Sequence, residues 1–358
     1  MTFPKTIFKK ITSIRKFHIR TVVFIAVSWT LTDIIVVLVF NNLPSVNKFS
    51  SLLLRESIVF ISSLIMGNLL VVQLRRWLRN FNLLSTLLLK SIILVVAAFL
   101  INMLLYAMNS VSVLGSPVSK SFHRFYNDFS DVHRLLQKLF YWLILFVITQ
   151  LLIELNEKYS PGVFLDILLG KYATPKIEKR IVMFIDLKDS TPIAEKLGSQ
   201  QYFRFISEFI YYISEALIEY GGRIYQYVGD EIVVSWLHKD GNSKKCIMAL
   251  IKARRNLNRK QQHFIKHYNI SPEFRAGIHV GEVTVGEIGV IKKDLAMSGD
   301  TMNTTARIRS ASSELNSAIL MSKDFCSDIS LREGQTQSLG MIELKGKASE
   351  MELFALTI

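Results

Sequence analysis

Arg180-Ile181-Val182-Met183-Phe184-Ile185-Asp186-Leu187-Lys188-Asp189-Ser190-Thr191-Pro192 is the stretch that decides the fold. An apolar run of strand length ends on a carboxylate, and a turn with helix-start chemistry follows. Ser190 and Thr191 are the expected caps, with Pro192 near the first helical turn. Helical apolar spacing then runs over 193–220 and stops at Gly221-Gly222. Residues 223–227 and 232–236 read as strands joined through Val228-Gly229-Asp230-Glu231, a tight hairpin. A helix is predicted at about 244–266, strands at 274–280 and 283–285, and a further helix from 301 to 312. The alternation β-α-β-β-α-β predicts a ferredoxin-like α+β sheet. In that sheet Asp186 ends one strand and Asp230 sits on the turn beside it. Two carboxylates then face one spot next to a helix N-terminus, which suits two divalent cations and the anionic phosphates they hold.

Upstream the chemistry changes. Of the 358 residues, 50% are hydrophobic and the formal charge is +14. Residues 1–155 hold 16 Lys/Arg against 5 Asp/Glu, and the remainder holds 27 against 24. The basic excess therefore lies with the long apolar runs and argues for a membrane half rather than for nucleic-acid binding. Runs at 22–40, 58–74, 87–108 and 139–155 approach or reach bilayer length, predicting four transmembrane helices. Lysines and arginines without acids precede the first run (Lys5, Lys9, Lys10, Arg15, Lys16, Arg20) and separate the second from the third (Arg75, Arg76, Arg79). The positive-inside rule then puts the N-terminus and the C-terminal half in the cytoplasm of a multi-pass plasma-membrane protein. The first run is too long, and lacks a small-residue cleavage site, for a signal peptide. Asp33 within it is expected to make a polar interhelical contact, with Asn68 or Asn102 as candidates. Three parts follow: a membrane domain over 1–155, a linker over 156–178 and a soluble domain over 179–358. Within the linker, 163–170 reads as a short amphipathic helix closed by Gly170, either a plain connection or a signal-transmitting one.

Cys246 and Cys326 lack metal or redox spacing and read as buried structural thiols.

Five segments of the soluble part resemble class III nucleotidyl cyclases in order. Phe184–Thr191 is similar to the first signature and Tyr227–Glu231 to the second. Arg275-Ala276-Gly277-Ile278-His279-Val280-Gly281 resembles the Arg-x-Gly-Ile-His-x-Gly strand. Gly299–Arg307 is similar to the Gly-Asp-x-Val-Asn-x-Ala-x-Arg helix start, and Leu344-Lys345-Gly346-Lys347 to the closing hairpin. The resemblance implies a phosphorus–oxygen lyase that converts a nucleoside triphosphate to its 3′,5′-cyclic monophosphate. It implies Asp186 and Asp230 as ligands of two Mg²⁺ or Mn²⁺ ions, with Arg275 and Lys345 on phosphates and Lys347 as the neighbouring candidate. Asn303 and Arg307 would orient the ribose and neutralise the transition state, and their i, i+4 spacing places them on one helix face. It further implies a homodimer with sites shared between two chains. His279 has no metal-spaced partner and reads as a structural polar contact.

Base choice in that family rests on two positions, here Gln226 and Ala296, which match neither the adenylate nor the guanylate pair. A carboxamide can donate or accept. ATP is the expected substrate because adenylate cyclases are the commoner case in bacterial-looking membrane architectures; GTP stays open, as does a non-catalytic cyclase-like receptor. A diguanylate cyclase fits less well, since that family lacks both the Asn-x-x-x-Arg helix and the Lys-Gly-Lys hairpin.

Overall fold

A computed structural model describes residues 13–40, 46–77, 81, 83–112, a few positions between 123 and 153, and 166–357 apart from 168, 240, 292–293, 330–333 and 348. The chain divides into two compact units, one spanning 15–158 and the other containing 159–358.

In the first unit α1 is Ser13–Phe40 and α2 is Val46–Asn68, which continues through a π-helical turn (Leu69–Gln73) into α3 (Leu74–Trp77); α4 is Leu83–Ser112. Two segments, His18–Ile35 and Leu52–Gln73, are long and apolar enough to cross a membrane. In α4 the apolar stretch among the described residues is the shorter Leu88–Ile101, and the expected fourth run is described mainly at 144–151, where it is helical. Two of the four expected spans therefore meet the length requirement among the described residues. Asp33 is buried, and its partner among the described side chains is Arg55 rather than Asn68; the side chain of Asn102 lies outside the described residues. Arg55 donates to both of its carboxylate oxygens, Nε at 2.8 Å and Nη2 at 3.1 Å. The sequence reading missed this because helix α2 begins twelve residues before the apolar run and carries Arg55 inside it.

The second unit is built on one sheet. Strand β1 is Lys176–Leu187, followed by α5 (Ser190–Glu219), β2 (Arg223–Val228), β3 (Glu231–Leu237) and α6 (Asn242–Tyr268). Then come β4 (Phe274–Ile288), β5 (Asp294–Ser298), α7 (Asp300–Glu314), β6 (Ile319–Ser322), α8 (Lys323–Ser327), β7 (Thr336–Ile342) and β8 (Met351–Leu356). The sheet order is β2-β3-β1-β4-β6-β8-β7, with β5 paired to β4. The first four strands give the predicted ferredoxin-like order, and β6 joins parallel to β4 after the α7 crossover.

Alternation along β1 sorts the two faces. Ile181, Met183, Ile185 and Leu187 are all buried against Phe205, Phe209 and Ile213 of α5 and Leu250, Ala253 and Leu257 of α6. Each such side chain stabilises the fold by roughly 1.5–3 kcal/mol. Val182 and Phe184 face the other way, into a smaller cluster with Tyr172, Val233, Val283, Val285 and Met297. Asp186 shares their parity and so points to the face that α7 covers. Tyr172 is fully buried in that cluster, and Lys171 and Arg223 both reach Asp166. The end of the expected linker is thus packed into the second unit, and β1 starts at Lys176, four residues before the expected Arg180. Half of the predicted 163–170 helix lies outside the described residues; Asp166 and Ile167 are helical, and Leu169 and Gly170 form a turn.

Strand β4 runs unbroken where two strands were expected. Gly281 falls in the expected gap between them, and its role is steric. A Cβ at Gly277 would lie 2.4 Å from the backbone nitrogen of Arg309, and one at Gly281 would lie 2.4 Å from the Thr301 hydroxyl. Four strand residues and eight helical residues both span roughly 12–14 Å. The two glycines therefore form a groove along which α7 lies antiparallel to β4.

Candidate active site

Asp186 is the penultimate residue of β1, and its Cα pairs with that of Arg275 on β4. Asp230 sits in the turn that joins β2 to β3, where Val228 pairs with Glu231 and Gly229 takes φ +62. Ser190 and Thr191 are not caps; both lie inside α5, and the cap position is Asp189 with a left-handed backbone and no side-chain cap bond. Burial, then the neighbouring Asp230 carboxyl, push the Asp186 pKa up to about 7, against the opposing charge of Arg309. Asp230 Oδ2 is buried without a hydrogen-bond partner. A buried acceptor left this way costs about 1–3 kcal/mol, and a cation would relieve it.

The carboxylates are met by a cation that the sequence reading missed. Arg309 Nη1 donates to Asp186 Oδ2 at 3.0 Å, and its Nη2 donates to Glu231. It lies only two residues beyond Arg307, and two helical steps of about 100° each carry it to a different face of α7. No local pattern marks it; the signal is the close approach of α7 at Gly277, which needs the tertiary register.

Arg275 donates to Ser313 Oγ at 2.7 Å and lies 3.8 Å from Asp189 Oδ1. With Lys188, Arg254 and Glu273 it lines a polar cavity of about 300 Å³. Asn303 is exposed and Arg307 half-buried, four residues apart on α7. Arg307 turns to the carbonyl of Gly346 at 2.7 Å, which ties the helix to the turn carrying exposed Lys345. Lys347 is engaged by Asp300 Oδ2 at 2.6 Å and holds that carboxyl below its usual range. Gln226 is exposed on β2, and Ala296 is half-buried on β5 opposite Gly286. His279 is buried and hydrogen-bonded to Ser322 Oγ at 2.8 Å; burial lowers its pKa. Cys246 is fully buried and Cys326 partly so, and both are free thiols. The fold therefore gathers Asp186, Asp230, Glu231 and Arg309 in one cluster, while Arg307 and Lys345 belong to a second one.

The family model described as the adenylate and guanylate cyclase catalytic domain matches residues 173–357. The chain belongs to this family. Among its cyclase relatives, "Adenylate cyclase 2" of Rhizobium meliloti (strain 1021) is 31% identical over 209 residues, covering 57% of each chain. "Adenylate cyclase" of Anabaena cylindrica is 23% identical over 211 residues, covering 55% of this chain and 42% of that protein. The chain thus spans about half the length of these relatives. The solved structure of a bacterial light-regulated adenylyl cyclase superposes with a TM-score of 0.54 at 18% identity, over 64% of this chain and 67% of that one. That likeness concerns the fold alone.

Proposed function

We propose that the protein is a membrane-anchored nucleotidyl cyclase that converts a nucleoside triphosphate, ATP in preference, to the 3′,5′-cyclic monophosphate and pyrophosphate. The observation that carries this is the pairing of Asp186 with Asp230 and its orphaned oxygen, at the strand end and turn where the family places its metal ligands. Two carboxylates and an unsatisfied acceptor fit a divalent cation. Among the described residues no group of three His, Cys, Asp or Glu side chains has metal-holding geometry, so further ligands would come from the triphosphate. Bound Mg²⁺ or Mn²⁺ ions supply acidity to the ribose 3′-hydroxyl and charge to the phosphates. Arg275 binds a phosphate beside Asp186, and the Asp189–Ser190 turn faces it with helix N-terminal amides.

Asn303, Arg307 and Lys345 complete the chemistry from a second chain. Within one chain Arg307 bonds to Gly346, while Asp186 is engaged by Arg309; a partner laid across the sheet face supplies what each cluster lacks. Asn303 orients the ribose, and Arg307 and Lys345 neutralise charge on the transferring phosphoryl group. The active unit is then a homodimer. His18–Ile35 and Leu52–Gln73 anchor it in the membrane with the catalytic part cytoplasmic; the multi-pass arrangement follows from the four apolar runs and their flanking charges.

The test is incubation of the purified protein with each of the four nucleoside triphosphates and Mn²⁺, with products identified by mass. A 3′,5′-cyclic nucleotide is the expected product, and the absence of any cyclic product would leave the receptor reading in its place. The same assay reads the base. Gln226 offers a donor or an acceptor, whereas lysine only donates and glutamate only accepts. A misplaced polar partner left buried costs about 1–3 kcal/mol, or roughly 5- to 150-fold. Gln226→Lys should raise the ATP/GTP ratio of kcat/KM and Gln226→Glu should lower it. A flat ratio would show that Gln226 does not read the base.

A further inference from the structure

We infer that Arg309 is a built-in counter-cation of the carboxylate cluster, one that the divalent ions must displace and that sets their affinity. This rests on the metal reading of Asp186 and Asp230.

In a half-buried site Asp186 and Glu231 both accept from Arg309, and Asp230 lies beside Asp186. Side chains of Asp186, Glu231 and Arg309 are 21%, 14% and 26% exposed, too enclosed for water to screen them fully. Arg309 is the cation that meets them, through one N–H to Asp186 and another to Glu231. Its backbone cannot retreat, because Gly277 lets α7 sit directly on β4 at that residue. Its side chain is less firmly seated. Arg309 Nε is buried with no acceptor, and Asp230 Oδ2 is buried with no donor. The guanidinium thus satisfies the cluster incompletely, on both sides of the contact. A divalent ion placed between Asp186 and Asp230 would satisfy the orphaned oxygen and would repel a guanidinium bonded to the same Asp186 carboxylate. Unit charges about 4 Å apart interact strongly at the effective dielectric of such sites. Either the arginine swings toward Glu231 alone or the metal binds weakly.

Without a nucleotide, then, the site holds its own cation and resists free metal. The triphosphate, which brings four negative charges, shifts the balance toward metal and so makes metal and substrate bind together. Arg309 acts here as a positioning residue, through Asp186.

The experiment measures Mn²⁺ binding by the electron paramagnetic resonance signal of free Mn²⁺, on the full-length protein without nucleotide. Arg309→Met, which keeps much of the packed volume, should bind Mn²⁺ roughly tenfold more tightly than wild type or better. The Asp186→Asn variant should bind far more weakly than either. In metal-free buffer Arg309→Met should melt at a lower temperature than wild type, with the gap closing as Mn²⁺ is added. Unchanged or weaker Mn²⁺ binding by Arg309→Met overturns the inference and makes Arg309 a support for Asp186 geometry. Wild-type affinity in Asp186→Asn overturns the metal reading itself, and the inference with it.

Discussion

Asp186→Ala and Asp230→Ala should each lower nucleotide cyclisation by roughly 10³-fold or more, because each removes a carboxylate from a site whose chemistry depends on cation charge at the phosphates. The fold should survive. Asp186 lies at the end of β1, next to a core held by Ile181, Met183 and Ile185, and Asp230 lies in a turn. Burial first, and then the Asp230 carboxyl, raise the Asp186 pKa, so removing Asp230 takes away the second of these causes. Thermal stability is therefore expected to fall little, and in Asp230→Ala to hold or rise. Activity within a factor of two of wild type in either variant would overturn the two-metal assignment.

Gly277→Ala should destabilise the soluble unit by about 2–4 kcal/mol, a drop of roughly 5–15 °C in Tm, and should abolish activity. The added methyl would lie 2.4 Å from a backbone nitrogen of α7, so the whole helix must lift. That helix carries Asn303, Arg307 and Arg309 together. Gly281→Ala is the informative comparison. Its methyl meets the Thr301 hydroxyl, which can rotate after giving up its 2.7 Å bond to the Glu282 carbonyl. The cost there should be clearly smaller. Thermal unfolding, with hydrogen exchange read on α7, checks both. Equal stability of Gly277→Ala and wild type would mean that α7 is not seated by this groove.

The ferredoxin-like half of the sheet was legible because its signals are local. An apolar run ending in Asp186, the Gly229 turn and the Gly221-Gly222 stop each fall within a few residues. The remaining strands were not legible. β6 is four buried residues, too short for periodicity to register, and β7 has no buried residue and a bulge between Ser338 and Gly340. The break expected at 281–282 is absent: Gly281 serves helix packing inside a long strand, a tertiary role that local pattern does not reveal. The strand-end and turn positions of Asp186 and Asp230, the two proposed metal ligands, could be read from the sequence. Arg309 could not, since only the seating of α7 on β4 brings it to Asp186. In the first unit, hydropathy located the apolar runs but not the helix that extends past them, and so it missed the Asp33–Arg55 pair.

The central claim is that two chains share each site, and mixing variants tests it most directly. Asp186→Ala lacks a carboxylate of one cluster, and Arg307→Ala lacks the arginine of the other. Alone, each homodimer has no intact site. In a random one-to-one mixture half of the dimers are mixed and each holds one complete site, so activity should return to about a quarter of wild type. A verified mixed dimer as inactive as either parent would contradict the shared site.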